Sequence, residues 1–115
     1  SRGFIFCTAV ACCLSAGFVV VRKPGKLPHS RISMTYDLEY GKDTLEMHSD
    51  AIVAGQRVLV VDDLLATGGT MKACCDMVRQ LGGELAGIAV LIELAGLKGR
   101  DKLKGIETHS VLRYE

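Results

Sequence analysis

A chain of 115 residues with 49% hydrophobic and 23% charged side chains has room for one domain and one core, and is too apolar to be disordered. Its formal net charge of +1 gives no general attraction for nucleic acid or for an anionic membrane, so any anion must be bound by locally clustered charge. Cys7, Cys12, Cys13, Cys74 and Cys75 form two adjacent pairs and no Cys-x-x-Cys, which suits neither zinc nor an easy disulfide. They read as small buried apolar residues in a reducing compartment.

Phe4 to Val21 carries no charge and is long enough to raise the question of a membrane span. Gly17 divides it into a helix-like Phe4 to Ala16 and a β-branched Val19-Val20-Val21, so it reads instead as a buried helix turning into a buried strand. Arg22-Lys23-Pro24-Gly25-Lys26-Leu27-Pro28 follows, with three cations around a Pro-Gly turn just past a strand's carboxyl end, where α/β sheets bind ligands. A solvated basic turn is the plain alternative. An anion clamp is favoured, because Pro24 and Pro28 stiffen the turn and limit the entropy lost on binding. Arg31 to His48 reads as a polar, lid-like excursion, with Arg31 to Tyr36 going out and Thr44 to Met47 coming back. Glu39 and Tyr40 stand at its tip; on the residues alone they are a solvent-facing charge and a packing residue.

The stretch Val58-Leu59-Val60-Val61-Asp62-Asp63-Leu64-Leu65-Ala66-Thr67-Gly68-Gly69-Thr70 joins an apolar run, a carboxylate pair and a Gly-rich turn. Val58 to Val61 do not alternate, as expected of a strand covered on both faces, and the turn opens at its carboxyl end. Gly68 and Gly69 let backbone approach a ligand, and Thr70 is placed to cap a helix with Met71, Cys74, Cys75, Val78 and Leu81 on one face. The amides of Ala66, Thr67, Gly68, Gly69 and Thr70 would favour a phosphate. Two aspartates would repel a phosphate lying against them and need hydroxyls or a cation, so a ribose 5-phosphate satisfies both halves. The alternative is an Asx-type turn in which one carboxylate merely caps the loop.

Gly82-Gly83 should stop the helix, and Ala86 to Leu94 should form another buried strand with Glu93 as a local cap or hydrogen-bond partner. Leu97 to Leu103 reads as a short helix and His109 to Leu112 as a last strand. His29, His48 and His109 have no ligand spacing and read as surface histidines.

Val58 to Thr70 resembles the phosphoribosyl-diphosphate motif of the type I phosphoribosyltransferases, and Val-Asp-Asp-Leu-Leu-Ala-Thr-Gly-Gly-Thr is similar to their adenine branch. Ser1-Arg2-Gly3-Phe4, Arg22-Lys23-Pro24-Gly25-Lys26-Leu27-Pro28, Leu38-Glu39-Tyr40-Gly41 and Leu97-Lys98-Gly99-Arg100-Asp101-Lys102-Leu103 extend the match over almost the full length in family order. The resemblance implies an α/β fold: an open, mostly parallel sheet flanked by helices, with a hairpin-like lid, as one core domain over residues 1–115. Since Ser1 falls inside a family motif, the family's N-terminal hood and first core strand are expected to lie upstream.

By the same resemblance, adenine and phosphoribosyl diphosphate would give AMP and pyrophosphate in purine salvage. Asp62 and Asp63 would hold the ring hydroxyls, with Arg2, Arg22, Lys23 and Lys26 around the diphosphate. Leu64 would touch the purine, Glu39 would manage the proton of its imidazole ring, and Tyr40 would close over the sugar. Magnesium would be held mainly by substrate, with no direct protein ligand. A cytoplasmic homodimer is implied, with neither nucleic acid nor membrane as partner. Two other readings compete: a non-catalytic, ligand-sensing or inactivated member of the same fold, and a P-loop ATPase. The second lacks any Gly-x-x-x-x-Gly-Lys-Ser/Thr.

Overall fold

The computed structural model describes residues 3–14, 17, 19, 21–22, 31–38 and 41–115. In chain order these form α1 (Gly3–Leu14), β1 (Val21–Arg22), β2 (Arg31–Leu38), β3 (Gly41–His48), β4 (Arg57–Leu65), α2 (Gly69–Gln80) and β5 (Glu84–Leu94). Two 3₁₀ helices, Ala95–Leu97 and Gly99–Leu103, then lead to β6 (Thr108–Tyr114).

The expected parallel sheet is β4-β5-β6, and the expected hairpin is the β2–β3 pair of an antiparallel sheet ordered β1-β3-β2. Parallel strands cannot be joined by a tight turn, and α2 supplies the crossover from β4 to β5. Its apolar spacing explains where it lies: Met71, Ala73, Cys75, Met77 and Val78 are buried. The helix ends where expected. Gly82, at φ 85°, donates its amide to the Arg79 carbonyl at 3.0 Å. Gly55 N–H donates to the Gly82 carbonyl at 2.8 Å, which ties the turn before β4 to the end of α2.

The core gathers Leu45 and Met47 of β3, Val60 and Leu65 of β4, the buried face of α2, Ile88 and Val90 of β5, and Leu103. The hairpin is longer than expected, registering from Arg31 opposite His48 to Leu38 opposite Gly41. Its connection, Glu39 and Tyr40, lies outside the described residues.

Several expectations change. β4 continues through Asp62 and Asp63 to Leu65, so the loop proper is only Ala66 to Gly68. Ladder pairing with β5, down to Leu65 opposite Glu93, holds the strand extended past its apolar run. Leu97 to Leu103 is not one helix; Lys98, in the left-handed region at φ 55° and ψ 37°, splits it into the two 3₁₀ helices.

The first helix is not a buried one: it packs on β4, yet none of residues 7–14 is buried and Leu14 is 61% exposed. Accordingly, of five free cysteines only Cys75 is buried, while Cys12 and Cys13 are exposed. His109 is exposed and His48 half-buried; His29 lies outside the described residues. No helix among the described residues is long and apolar enough to cross a membrane.

Val58 to Val61 are less covered than an unalternating run implies, with Val60 alone of the four buried. A cavity of about 560 Å³ lies beside them, lined by Val10 and Leu14 of α1, Val21 of β1, Met47 of β3, and Met71 and Cys74 of α2, among others.

Candidate active site

The carboxyl end of β4 brings together most of the residues that the sequence singles out. Asp62 and Asp63 are half-buried within the strand, Leu64 is 42% exposed, and Leu65 is buried as the last strand residue. Thr67 is exposed, Ala66 half-buried, and Gly68 and Gly69 are buried.

Gly68 is the residue on which the turn depends. It caps α2 at φ 88° and ψ −2°, a left-handed conformation that side chains disfavour, and its carbonyl accepts the Lys72 amide at 2.9 Å to close the first helical turn. Space forbids a side chain as well, since a Cβ there would lie 2.6 Å from the Gly99 carbonyl oxygen. Gly69 opens the helix without a positive φ, so the backbone demand falls on the first glycine of the pair. Thr70 is not the cap: it is the second residue of α2, and no side chain caps that end. Helix dipole and first-turn amides there point toward the carboxyl end of the sheet, an arrangement that attracts an anion.

Asp62 Oδ1 accepts the Asp63 amide at 2.8 Å, so this carboxylate does have the local role that the plain reading gave it. It is also perturbed. Burial first, then a hydrogen bond with the Asp63 carboxyl, raise the Asp62 carboxyl to about 6, against a smaller lowering by the Asp63 amide. The two carboxyl groups therefore lie close enough to interact. The Asp62 charge is available to a cationic or hydroxyl-bearing partner above that range.

On α2, loss of hydration pushes the thiols of half-buried Cys74 and buried Cys75 up to about 12 and about 11. Raised this way, both favour the thiol over the thiolate near neutrality.

The sequence missed the wall behind the loop. A Cβ on Gly99 would lie 2.5 Å from the Ala66 carbonyl oxygen and 3.0 Å from Leu65 Cδ1, so the second 3₁₀ helix touches the loop backbone to backbone. Glu93, 3% exposed, accepts from Arg100 Nε and Nη2, each at 2.8 Å, and from Ser110 Oγ at 2.9 Å. Those donors, Arg100 foremost, hold the Glu93 carboxyl below its ordinary value. Glu93 is thus the hydrogen-bond partner expected. The available signal was Gly99 itself, a glycine inside a predicted helix.

Of the remaining candidates, Arg22 ends β1 opposite Glu46. Arg2, Lys23, Lys26, Glu39 and Tyr40 lie outside the described residues. No group of three His, Cys, Asp or Glu side chains able to hold a metal occurs among the described residues.

The phosphoribosyl transferase domain family matches residues 1–111. An adenine phosphoribosyltransferase of Clostridium perfringens (strain SM101 / Type A) is 60% identical over 115 residues, covering 100% of this chain and 67% of that protein. Among solved structures, adenine phosphoribosyltransferase from Thermoanaerobacter pseudethanolicus superposes with a TM-score of 0.97 at 52% identity, covering 99% of this chain and 66% of that one. Adenine phosphoribosyl transferase from Trypanosoma brucei, in complex with AMP, pyrophosphate and ribose-5-phosphate, is similar with a TM-score of 0.89 at 28% identity, covering 98% and 52%.

Proposed function

We infer that this chain, which belongs to the phosphoribosyl transferase domain family and within it to the adenine phosphoribosyltransferases, is the core of an enzyme transferring a phosphoribosyl group from 5-phosphoribosyl 1-diphosphate to adenine. AMP and pyrophosphate are the products, and purine salvage is the role. The chain spans about two thirds of the length of the bacterial relatives it matches, so the activity is assigned to the full-length protein. One observation carries the reading: a left-handed glycine turn opens α2 directly after two half-buried carboxylates at a parallel strand's carboxyl end.

Breaking the bond from the anomeric carbon to the diphosphate builds positive charge on the sugar ring and negative charge on the leaving group. Asp62 and Asp63 accept the ring hydroxyls and lend negative potential to the ring, while the amides of Ala66 to Thr70 hold the 5-phosphate. Arg2, Arg22, Lys23 and Lys26 draw the departing diphosphate, and Leu64 offers an apolar surface to the purine. Glu39 shares the proton of the purine imidazole ring, and Tyr40 closes over the sugar, excluding water. Magnesium supplies neutralising charge to the diphosphate when bound. Adjacent carboxylates such as Asp62 and Asp63 are oxygen donors of the kind magnesium takes, and substrate oxygens would supply most of its shell.

The protein is cytoplasmic in this reading, consistent with five free cysteines, and a homodimer, which sedimentation of the full-length protein would check. The deciding experiment measures magnesium-dependent AMP formation from adenine and phosphoribosyl diphosphate by the full-length protein and by the 115-residue chain. No AMP from the full-length protein ends the reading. Glu39→Ala should lower turnover on the order of 10²-fold, the scale for one positioned acid or base. A change within about twofold removes Glu39 from the mechanism.

A further inference from the structure

We propose that Arg100 is a positioning residue for the phosphate loop, acting through the backbone of Gly99 and never touching the ligand. The proposal rests on the reading of Ala66 to Thr70 as that loop.

The loop has little of its own to hold it. Its capping residue, Gly68, brings no side-chain cap bond, and because glycine visits left-handed and right-handed regions about equally, its own backbone does not fix the left-handed one. What confines it is the second 3₁₀ helix. The Gly99 carbonyl sits where a Gly68 side chain would be, and the Gly99 α-carbon faces the Ala66 carbonyl and the Leu65 side chain. Both ends of the turn therefore rest on one residue.

That residue is fixed from the next position. Arg100 makes a two-pronged contact with Glu93, Nε to Oε2 and Nη2 to Oε1 at 2.8 Å each, and its Nη1 donates to the Thr108 carbonyl at 2.9 Å. Nη2 also reaches Ser110 Oγ at 3.4 Å, and Ser110 Oγ donates to Glu93 Oε1 at 2.9 Å. One guanidinium thus joins the 3₁₀ helix to β5 and β6. Glu93 is in register with Leu65, the last strand residue before the loop, so the anchor lies level with the element it steadies.

A planar fork is needed for this. Lysine would keep the charge but could span neither both Glu93 oxygens nor the Thr108 carbonyl at once. Leu103, 2% exposed, seats the far end of the 3₁₀ helix in the core, so loss of the fork should release Gly99 without unfolding the helix.

The test is steady-state kinetics on the full-length protein with Arg100→Lys, together with AMP binding by calorimetry. KM for phosphoribosyl diphosphate should rise and AMP affinity fall by about tenfold, the scale of a lost charge-assisted pair. KM for adenine should stay within about twofold, because a positioning role at the phosphate loop leaves the base untouched. Equal losses for both substrates, or unchanged AMP affinity in a folded Arg100→Lys protein, overturn the proposal. Should Arg100→Lys not fold, Ser110→Ala removes a single bond to the same carboxylate. It should weaken AMP binding by about threefold, with adenine again unmoved; no change, or equal loss for both, overturns the proposal as well. If the unaltered protein does not bind AMP, the functional reading itself fails; if it binds AMP and the variants bind it equally well, only the role of Arg100 fails.

Discussion

Strand β4 has two neighbourhoods, and they are built differently. Toward β5 and the 3₁₀ helices it is close-packed, down to carbonyl-to-glycine contacts that leave no room for a methyl group. Toward α1, β1 and one face of α2 it borders a cavity of about 560 Å³, where Val58 and Val61 are half-covered. The contrast separates two duties of one strand. Its carboxyl end fixes the turn into α2 by backbone geometry, which leaves no room for a side chain at Gly68 or Gly99. The side facing α1 contributes apolar surface, where shape matters less.

The sharpest way to break that comparison is Gly68→Val, which meets both a left-handed φ of 88° and a carbonyl oxygen 2.6 Å from the new Cβ. AMP binding should fall below detection by calorimetry, with folding weakened by about 1–3 kcal/mol in thermal melts. Gly69→Val, lacking the positive φ, should harm stability less. Asp62→Asn and Asp63→Asn come next: each should lower kcat by about 10²- to 10³-fold, while phosphate affinity changes little, because the lost charge matters most in the cationic transition state. If both retained wild-type turnover, the plain reading of Asp62 as a local cap would be the whole account.

On the side of packing, Met77→Ala removes a side chain with no exposed surface and should cost about 2–5 kcal/mol. Leu14→Ala, on the exposed face of α1, should stay within about 0.5 kcal/mol. Comparable costs in urea titrations would mean that the two neighbourhoods are equally tight.

A gentler test is pH. Asp62 is raised from 3.8 to about 6, so kcat/KM should fall about tenfold per unit below about 6, and Asp62→Asn should lose that limb. The sign for folding is opposite to the usual carboxylate. Between 3.8 and about 6 the native state holds more protons at Asp62 than the unfolded chain, so this group favours folding increasingly as pH falls through that window. Glu93, held low by Arg100, works the other way, and its contribution is lost as pH falls through its lowered value.

The strand–turn–helix at the centre was legible because each part has a local signal: an unalternating apolar run, paired glycines, and apolar residues at helical spacing. The helix stop at Gly82 was legible for the same reason. What escaped depends on register. No local pattern says that Glu93, Arg100 and Ser110 meet, since that follows only from how β5 and β6 align and where the intervening 3₁₀ helix returns. The cap was misassigned to Thr70 because the sequence shows a good capping side chain but not the φ of the residue two places earlier. Length and hydropathy made the first helix look buried. Its exposure depends on how much apolar surface the rest of the fold presents to it, which no short window contains.

The direction in which the chain is made bears on that helix too. α1 packs on β4, and β2 and β3 pack on α2, so these early elements find packing partners in segments synthesised after them. Until those segments emerge, an uncharged helix of twelve residues and an antiparallel hairpin must wait with apolar side chains in water. By contrast β4, α2 and β5 follow one another directly, and α2 is the single crossover between the two parallel strands. The Ala66 to Thr70 turn thus lies inside a unit whose strands are joined by one helix, while α1 and the β2–β3 pair need that unit present before they can pack against it.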